Sequence, residues 1–144
     1  MQKLRERMAR DEGFTLIELL VVMLIIAILA ALAIPSFFNQ RNKAFDADAK
    51  ADARTAQTAV ETLATDNNGS YATASPANVR AIEPTLNGAN LTTVSGTATT
   101  YTVRVTAQNT NNWFEVQRTA TGTFVYDCAT RGSGGCPSGG NWGG

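Results

Sequence analysis

The sequence predicts an α+β chain: a long N-terminal helix, apolar in its first half, packed on a small antiparallel meander of three or four strands. Three observations predict it. Leu19–Ile34 is apolar without a break. Residues 36–65 contain no Gly or Pro and are rich in Ala, which favours helix. From residue 99 onward, short alternating stretches of Thr, Val and aromatic residues are separated by Asn- and Gly-containing turns.

The first element follows from Phe14–Ile34, whose 21 residues include only two polar positions, Thr15 and Glu18. A helix of that length rises about 31 Å, which matches the hydrocarbon core of a bilayer. A core helix of a soluble domain would show a polar stripe, and this run has none. Residues 1–13 carry Lys3, Arg5, Arg7 and Arg10, too polar to enter lipid; their basic character places the N-terminus in the cytoplasm and the rest outside. Three readings compete here: a secretory signal peptide cut near Ala31-Leu32-Ala33, a plain single-pass anchor, or a leader cut ahead of the apolar run so that the helix stays in the product.

The residues Gly13-Phe14-Thr15-Leu16-Ile17-Glu18 favour the third. They resemble the signature of the type IV pilin family: a glycine before the cut, an aromatic as the new first residue, and a glutamate at the fifth position of the product. Pro35, position 22 of that product, also fits the family pattern. The resemblance is strong over residues 13–40 and weak beyond. It implies the type IV pilin fold, cleavage between Gly13 and Phe14 by a prepilin peptidase, and N-methylation of Phe14 by the same enzyme.

Glu18 is a carboxylate in an apolar helix, which is costly and marks function. Near the headgroups it could simply be hydrated. The resemblance implies instead that it neutralises the Phe14 amine of a neighbouring subunit, so that two buried charges meet and set axial register. Gly13, with no side chain, lets the backbone lie close in a protease site, or merely bounds the helix. Pro35 removes an N–H and clashes with the carbonyl four residues back, which predicts a kink rather than an end, because a helical pattern resumes at Ser36.

In the second half of the helix, Phe45, Ala49, Ala53, Ala56, Val60 and Leu63 step by three or four and form one face. Asp46 and Lys50 read as a surface pair, and Arg41, Lys43, Asp48 and Asp52 as a solvated face. Asn67-Asn68-Gly69 supplies the stop. A helix from about Phe14 to Thr65 would measure roughly 78 Å, so half of it is free of the membrane to carry a head. Residues 67–98 read as an irregular connector anchored by residues such as Val79, Leu86 and Leu91, the αβ-loop of the family. Strands are expected at Thr99–Ala107, Asn112–Thr119 and Thr123–Cys128, with Leu91–Val94 as a possible fourth. The expected organisation is therefore a leader at 1–13, a membrane or filament-core helix at 14–35, its amphipathic half at 36–66, the αβ-loop at 67–98, the sheet at 99–128 and a Gly-rich tail at 128–144.

Cys128 and Cys136, the chain's two cysteines, enclose seven residues. In an oxidising exterior they are expected to pair, as in the C-terminal disulfide loop of many pilins; free thiols and a metal site are the alternatives. The tail from Ser133 reads as mobile, with Trp142 as an exposed contact.

Composition narrows function. The 144 residues hold 12 basic and 12 acidic side chains, which gives no bulk charge to hold nucleic acid. No histidine is present, so a His-based triad and a His-containing zinc site are excluded. No cofactor is expected. Glu115 and Asp127 alone supply acid near the C-terminus, a poor calcium set. No Walker motif is present, so retraction power would come from separate ATPases. The expected product is a structural subunit of a type IV pilus, a single-pass membrane protein before assembly and an extracellular filament after it. Its partners would be copies of itself, membrane lipid, the prepilin peptidase and methyltransferase, and the pilus assembly machinery. The competing readings are a type II secretion pseudopilin, a membrane-anchored binding module that never assembles, and an enzyme.

Overall fold

The structure is a computed structural model that describes residues 13–144. All of the expected leader except Gly13 lies outside the described residues. The chain divides into an N-terminal unit ending at Phe38 and a second unit, Asn39–Gly144. Helix α1, Leu16–Asp66, contributes residues to both. It does not end at Pro35, which lies inside it. It stops where the Asn-Asn-Gly signal predicts. Asn68 and Gly69 take positive φ values of 55° and 83°, and the Gly69 N–H donates to the Ala64 carbonyl at 2.7 Å.

The α+β expectation is borne out. Strands β1 (Leu91–Gly96), β2 (Tyr101–Thr106), β3 (Trp113–Arg118) and β4 (Phe124–Cys128) form one antiparallel sheet in sequence order. Leu91–Gly96 is a full member, so the sheet begins inside the stretch read as connector. The weak signal there has a cause: a register shift between Leu91 and Thr93 breaks the alternation. Gly96 closes β1 against the Tyr71 backbone carbonyl, which leaves no room for a Cβ.

The rest of the connector is also more ordered than expected. Helix α2, Pro76–Ile82, starts at Ser75, whose hydroxyl accepts from the Asn78 N–H at 3.2 Å, with Pro76 in the first turn. A 3₁₀ turn, Pro84–Gly88, follows. Arg80 fastens it by donating to the Leu86 and Ala89 carbonyls, each at 3.3 Å.

The core of the second unit joins the alanine stripe of α1 to the sheet. Ala49, Ala53, Ala56 and Val60 are buried with Val103, Val105, Phe114 and Val116. Phe45 and Leu63, the ends of the predicted stripe, are half-buried.

Candidate assembly site

In the N-terminal unit, no side chain of the helix from Leu16 to Phe38 is buried among the described residues. Leu19, Val22, Ile26, Leu29 and Leu32 are all at least half exposed. Its most apolar 18-residue stretch has no share buried within the structure. Such a surface is stable in lipid or against other helices and not in water.

Gly13, Phe14 and Thr15 precede the helix, and Phe14 is 84% exposed. Thr15 caps α1. The Glu18 carboxylate accepts from the Thr15 N–H at 2.8 Å and from its hydroxyl at 2.9 Å, and the Glu18 N–H donates to the Thr15 hydroxyl oxygen at 3.3 Å. This reciprocal pair is a capping box. It gives Glu18 partners within one chain before any neighbour arrives. The sequence carried the signal, a Thr three residues ahead of a Glu at the start of an apolar run.

In the second unit, three polar ties hold head to helix. Asp46, read from sequence as a surface partner of Lys50, has no exposed surface at all. Its carboxylate accepts from the Thr110 hydroxyl at 2.8 Å, the Asn112 side-chain amide at 3.0 Å and the Gly135 N–H at 2.7 Å. It thereby fixes the β2–β3 turn and the cysteine loop to α1. The correction has a geometric reason: Asp46 lies three and seven residues before Ala49 and Ala53, on the buried stripe. Lys50 instead stands over the Phe114 ring, 5.3 Å from its centroid.

Glu61 is the second tie. Its two oxygens accept from the hydroxyls of Tyr71 and Tyr101, each at 2.8 Å. Burial and, secondarily, the Glu61 carboxylate push both phenols above their ordinary range. Sequence reading missed Glu61, which stands beside the buried stripe rather than on it.

The third tie is the tail. Cys128 and Cys136 are bonded, with Cα atoms 5.8 Å apart. Trp142, expected as an exposed contact in the tail, is instead packed against the head. That indole is 6% exposed. It meets Phe114 and Tyr126 edge-on at 5.8 and 5.1 Å, and its N–H reaches the Glu115 and Asp127 carbonyls at 3.2 and 2.8 Å. Arg54 of α1 covers its outer face at 5.5 Å. A lone tryptophan among glycines gives no periodicity from which this could be read.

Glu115 and Asp127 are cross-strand neighbours, each occupied by an arginine: Arg104 at 2.6 Å and Arg131 at 3.4 Å. Among the described residues no cluster of acids and cysteines is arranged to hold a metal.

Comparison with known proteins points to the same N-terminal segment. Residues 8–34 match the family described as the prokaryotic N-terminal methylation motif. The chain is 46% identical over 50 residues to the type IV major pilin protein PilA of Myxococcus xanthus, which covers 35% of this chain and 23% of that one. It is 37% identical over 59 residues to the type II secretion system core protein G of Aeromonas hydrophila, covering 41% of each. The matches thus span less than half of either relative. No solved structure matches the chain. In its methylation motif, bare apolar half-helix and α+β head, the chain resembles type IV pilin-like subunits.

Proposed function

We propose that this chain is a structural subunit of a type IV pilus and not an enzyme. A prepilin peptidase cuts between Gly13 and Phe14, and Phe14 is N-methylated. The product waits in the membrane with its head outside, then polymerises with copies of itself through the assembly machinery into an extracellular filament. The observation that carries this reading is the uncovered apolar half of α1, headed by Gly13-Phe14-Thr15-Leu16-Ile17-Glu18. In the precursor, Thr15 holds the Glu18 carboxylate. After cleavage, the cationic Phe14 amine of a neighbour becomes the stronger partner, because two buried charges that meet cost far less than either alone. Pro35 kinks the helix where it leaves the apolar layer.

The second reading is a type II secretion pseudopilin. The Aeromonas match, which extends over 59 residues, favours it. The disulfide-closed tail favours the pilus.

The test is to shear surface fibres from cells and read the smallest N-terminal peptide by mass spectrometry. A peptide beginning at N-methylated Phe14 is expected. Processed protein that stays in the membrane and is absent from fibres would move the reading to the pseudopilin. An N-terminus at Ile34 would mean an ordinary signal peptide and would end the filament reading. Within the same assay, Glu18→Ala is expected to leave the protein in the membrane and to block or derange assembly. Normal filaments from that variant would remove the role given to Glu18.

A further inference from the structure

Beyond Asn39 the outward face of α1 is Ala44, Ala47, Ala51, Thr55, Thr58 and Thr62, without a charge. The hydroxyls of Thr55, Thr58 and Thr62 turn inward to the carbonyls four residues back, at 3.0, 3.1 and 2.9 Å, which leaves their methyl groups outward. Charges are segregated to the two edges of this face. One edge carries Asp48 and Asp52, with Arg41 two turns earlier on the same edge and drawn over the Phe45 ring at 5.5 Å; the other carries Lys43, Lys50 and Arg54. Asp48, Asp52 and Lys43 form no ion pair among the described residues. Asp52 is half-buried, and burial first and Asp48 second raise its carboxyl above the ordinary range.

Beside that edge lies a groove of about 310 Å³. Its lining is mixed: Phe45, Ala49, Ala89 and Val105 supply carbon, and Asp48, Asp52, Asn90 and Gln108 supply polar groups. Carbon surface beside two carboxylates suits a lysine, whose stem lies on carbon while its ammonium meets carboxylate. The opposite edge of the same helix supplies one in Lys43, which is exposed.

We propose that this groove receives Lys43 of a second copy of the chain, so that the acid edge of one helix docks on the basic edge of the next. The contact is heterologous: the two surfaces differ, so repeating it builds an open array and not a closed dimer. The inference rests on the filament reading and gives it a register. Lys43 precedes Asp48 and Asp52 by five and nine residues, so parallel neighbours would be offset by about 8–14 Å along the helix.

The test is site-directed crosslinking in cells that carry the assembly machinery. Full-length Lys43→Cys and Asp52→Cys chains are co-expressed, and a short bismaleimide crosslinker, which spans the length of a lysine–aspartate contact, is applied to membranes and sheared fibres. A mixed dimer is expected in fibres when both variants are present. None is expected with either alone, nor when Thr65→Cys replaces Asp52→Cys. A crosslink in membranes without surface fibres would uphold the docking and overturn the pilus reading. Wild-type fibres with no crosslink would overturn the docking alone; neither fibres nor crosslink would overturn both. Should the cysteine variants fail to accumulate, Asp48→Asn with Asp52→Asn gives a second reading: fibre yield is expected to fall at least fivefold, and an unchanged yield would refute the docking.

Discussion

Replacing Asp46 by alanine removes a fully buried carboxylate with three donors directed at it. The losses are unequal. The Thr110 hydroxyl can turn to water, so its share is small. The Asn112 amide is buried and the Gly135 N–H half-buried, and both would be left without an acceptor. An unsatisfied buried donor costs about 1–3 kcal/mol, so the two together give roughly 3–5 kcal/mol. For a head of this size that is a fall in Tm of about 15 °C. Asparagine should behave differently. It keeps the volume, and its oxygen can accept from Asn112 and Gly135 while its amide donates to the Thr110 hydroxyl. Only the charge assistance is lost, about 1 kcal/mol. The assay is thermal unfolding of the full chain in detergent, followed by tryptophan fluorescence, because Trp113 and Trp142 both lie in the head. If Asp46→Asn is as damaging as Asp46→Ala, the hydrogen-bond argument is wrong. If Asp46→Ala costs under 1 kcal/mol, the residue is no tie at all.

Three more predictions use the same assay. Trp142→Ala should cost about 3 kcal/mol, by analogy with buried aromatic truncations, whereas a mobile tail would lose nothing. Reducing Cys128–Cys136 reopens a nine-residue loop and should cost about 2.5 kcal/mol. That cost should be non-additive with Asp46→Ala, because the closed loop positions the Gly135 N–H, and simple additivity would contradict the coupling. Asp52→Asn should stabilise the head at pH 7 by about 0.3 kcal/mol, since solvent screens the repulsion from Asp48. The raised carboxyl holds its proton more tightly when folded. The pair's contribution to stability therefore falls as pH rises from the ordinary 3.8 through the higher folded value. The advantage of Asp52→Asn should vanish below pH 3.8, and an advantage that persists there would point to some other cause.

The helix was legible because hydrophobic length and period-3.6 spacing are local signals, and its end because Asn68 and Gly69 need positive φ. Strands β2 and β3 alternate visibly. By contrast, β1 hides behind a register shift, and α2 behind a Ser75-Pro76 start that reads equally well as a turn. At the candidate site, Gly13, Phe14 and Glu18 stand out by type and spacing. The roles of Asp46, Glu61 and Trp142 depend on partners 10 to 89 residues away, and no local pattern records such a partner.

Asp48 and Asp52 connect stability to assembly. Like charges four apart on one helix face weaken a free-standing head, and one substitution relieves them at little cost to packing. Their presence beside the groove makes sense if their cationic partner belongs to another copy of the chain. Glu18 follows the same logic at the other end of α1. There a local capping box occupies a carboxylate until a better partner, a neighbouring amine, is created by cleavage. In both places the isolated chain holds an incompletely compensated negative charge on α1, and in both the proposed compensation comes from a second copy displaced along the helix axis. Filaments that lose the Lys43–Asp52 crosslink when Glu18 is replaced, yet keep the protein in the membrane, would show that the two contacts share one register. A crosslink indifferent to Glu18 would show that they do not, and that the acid edge alone aligns the subunits.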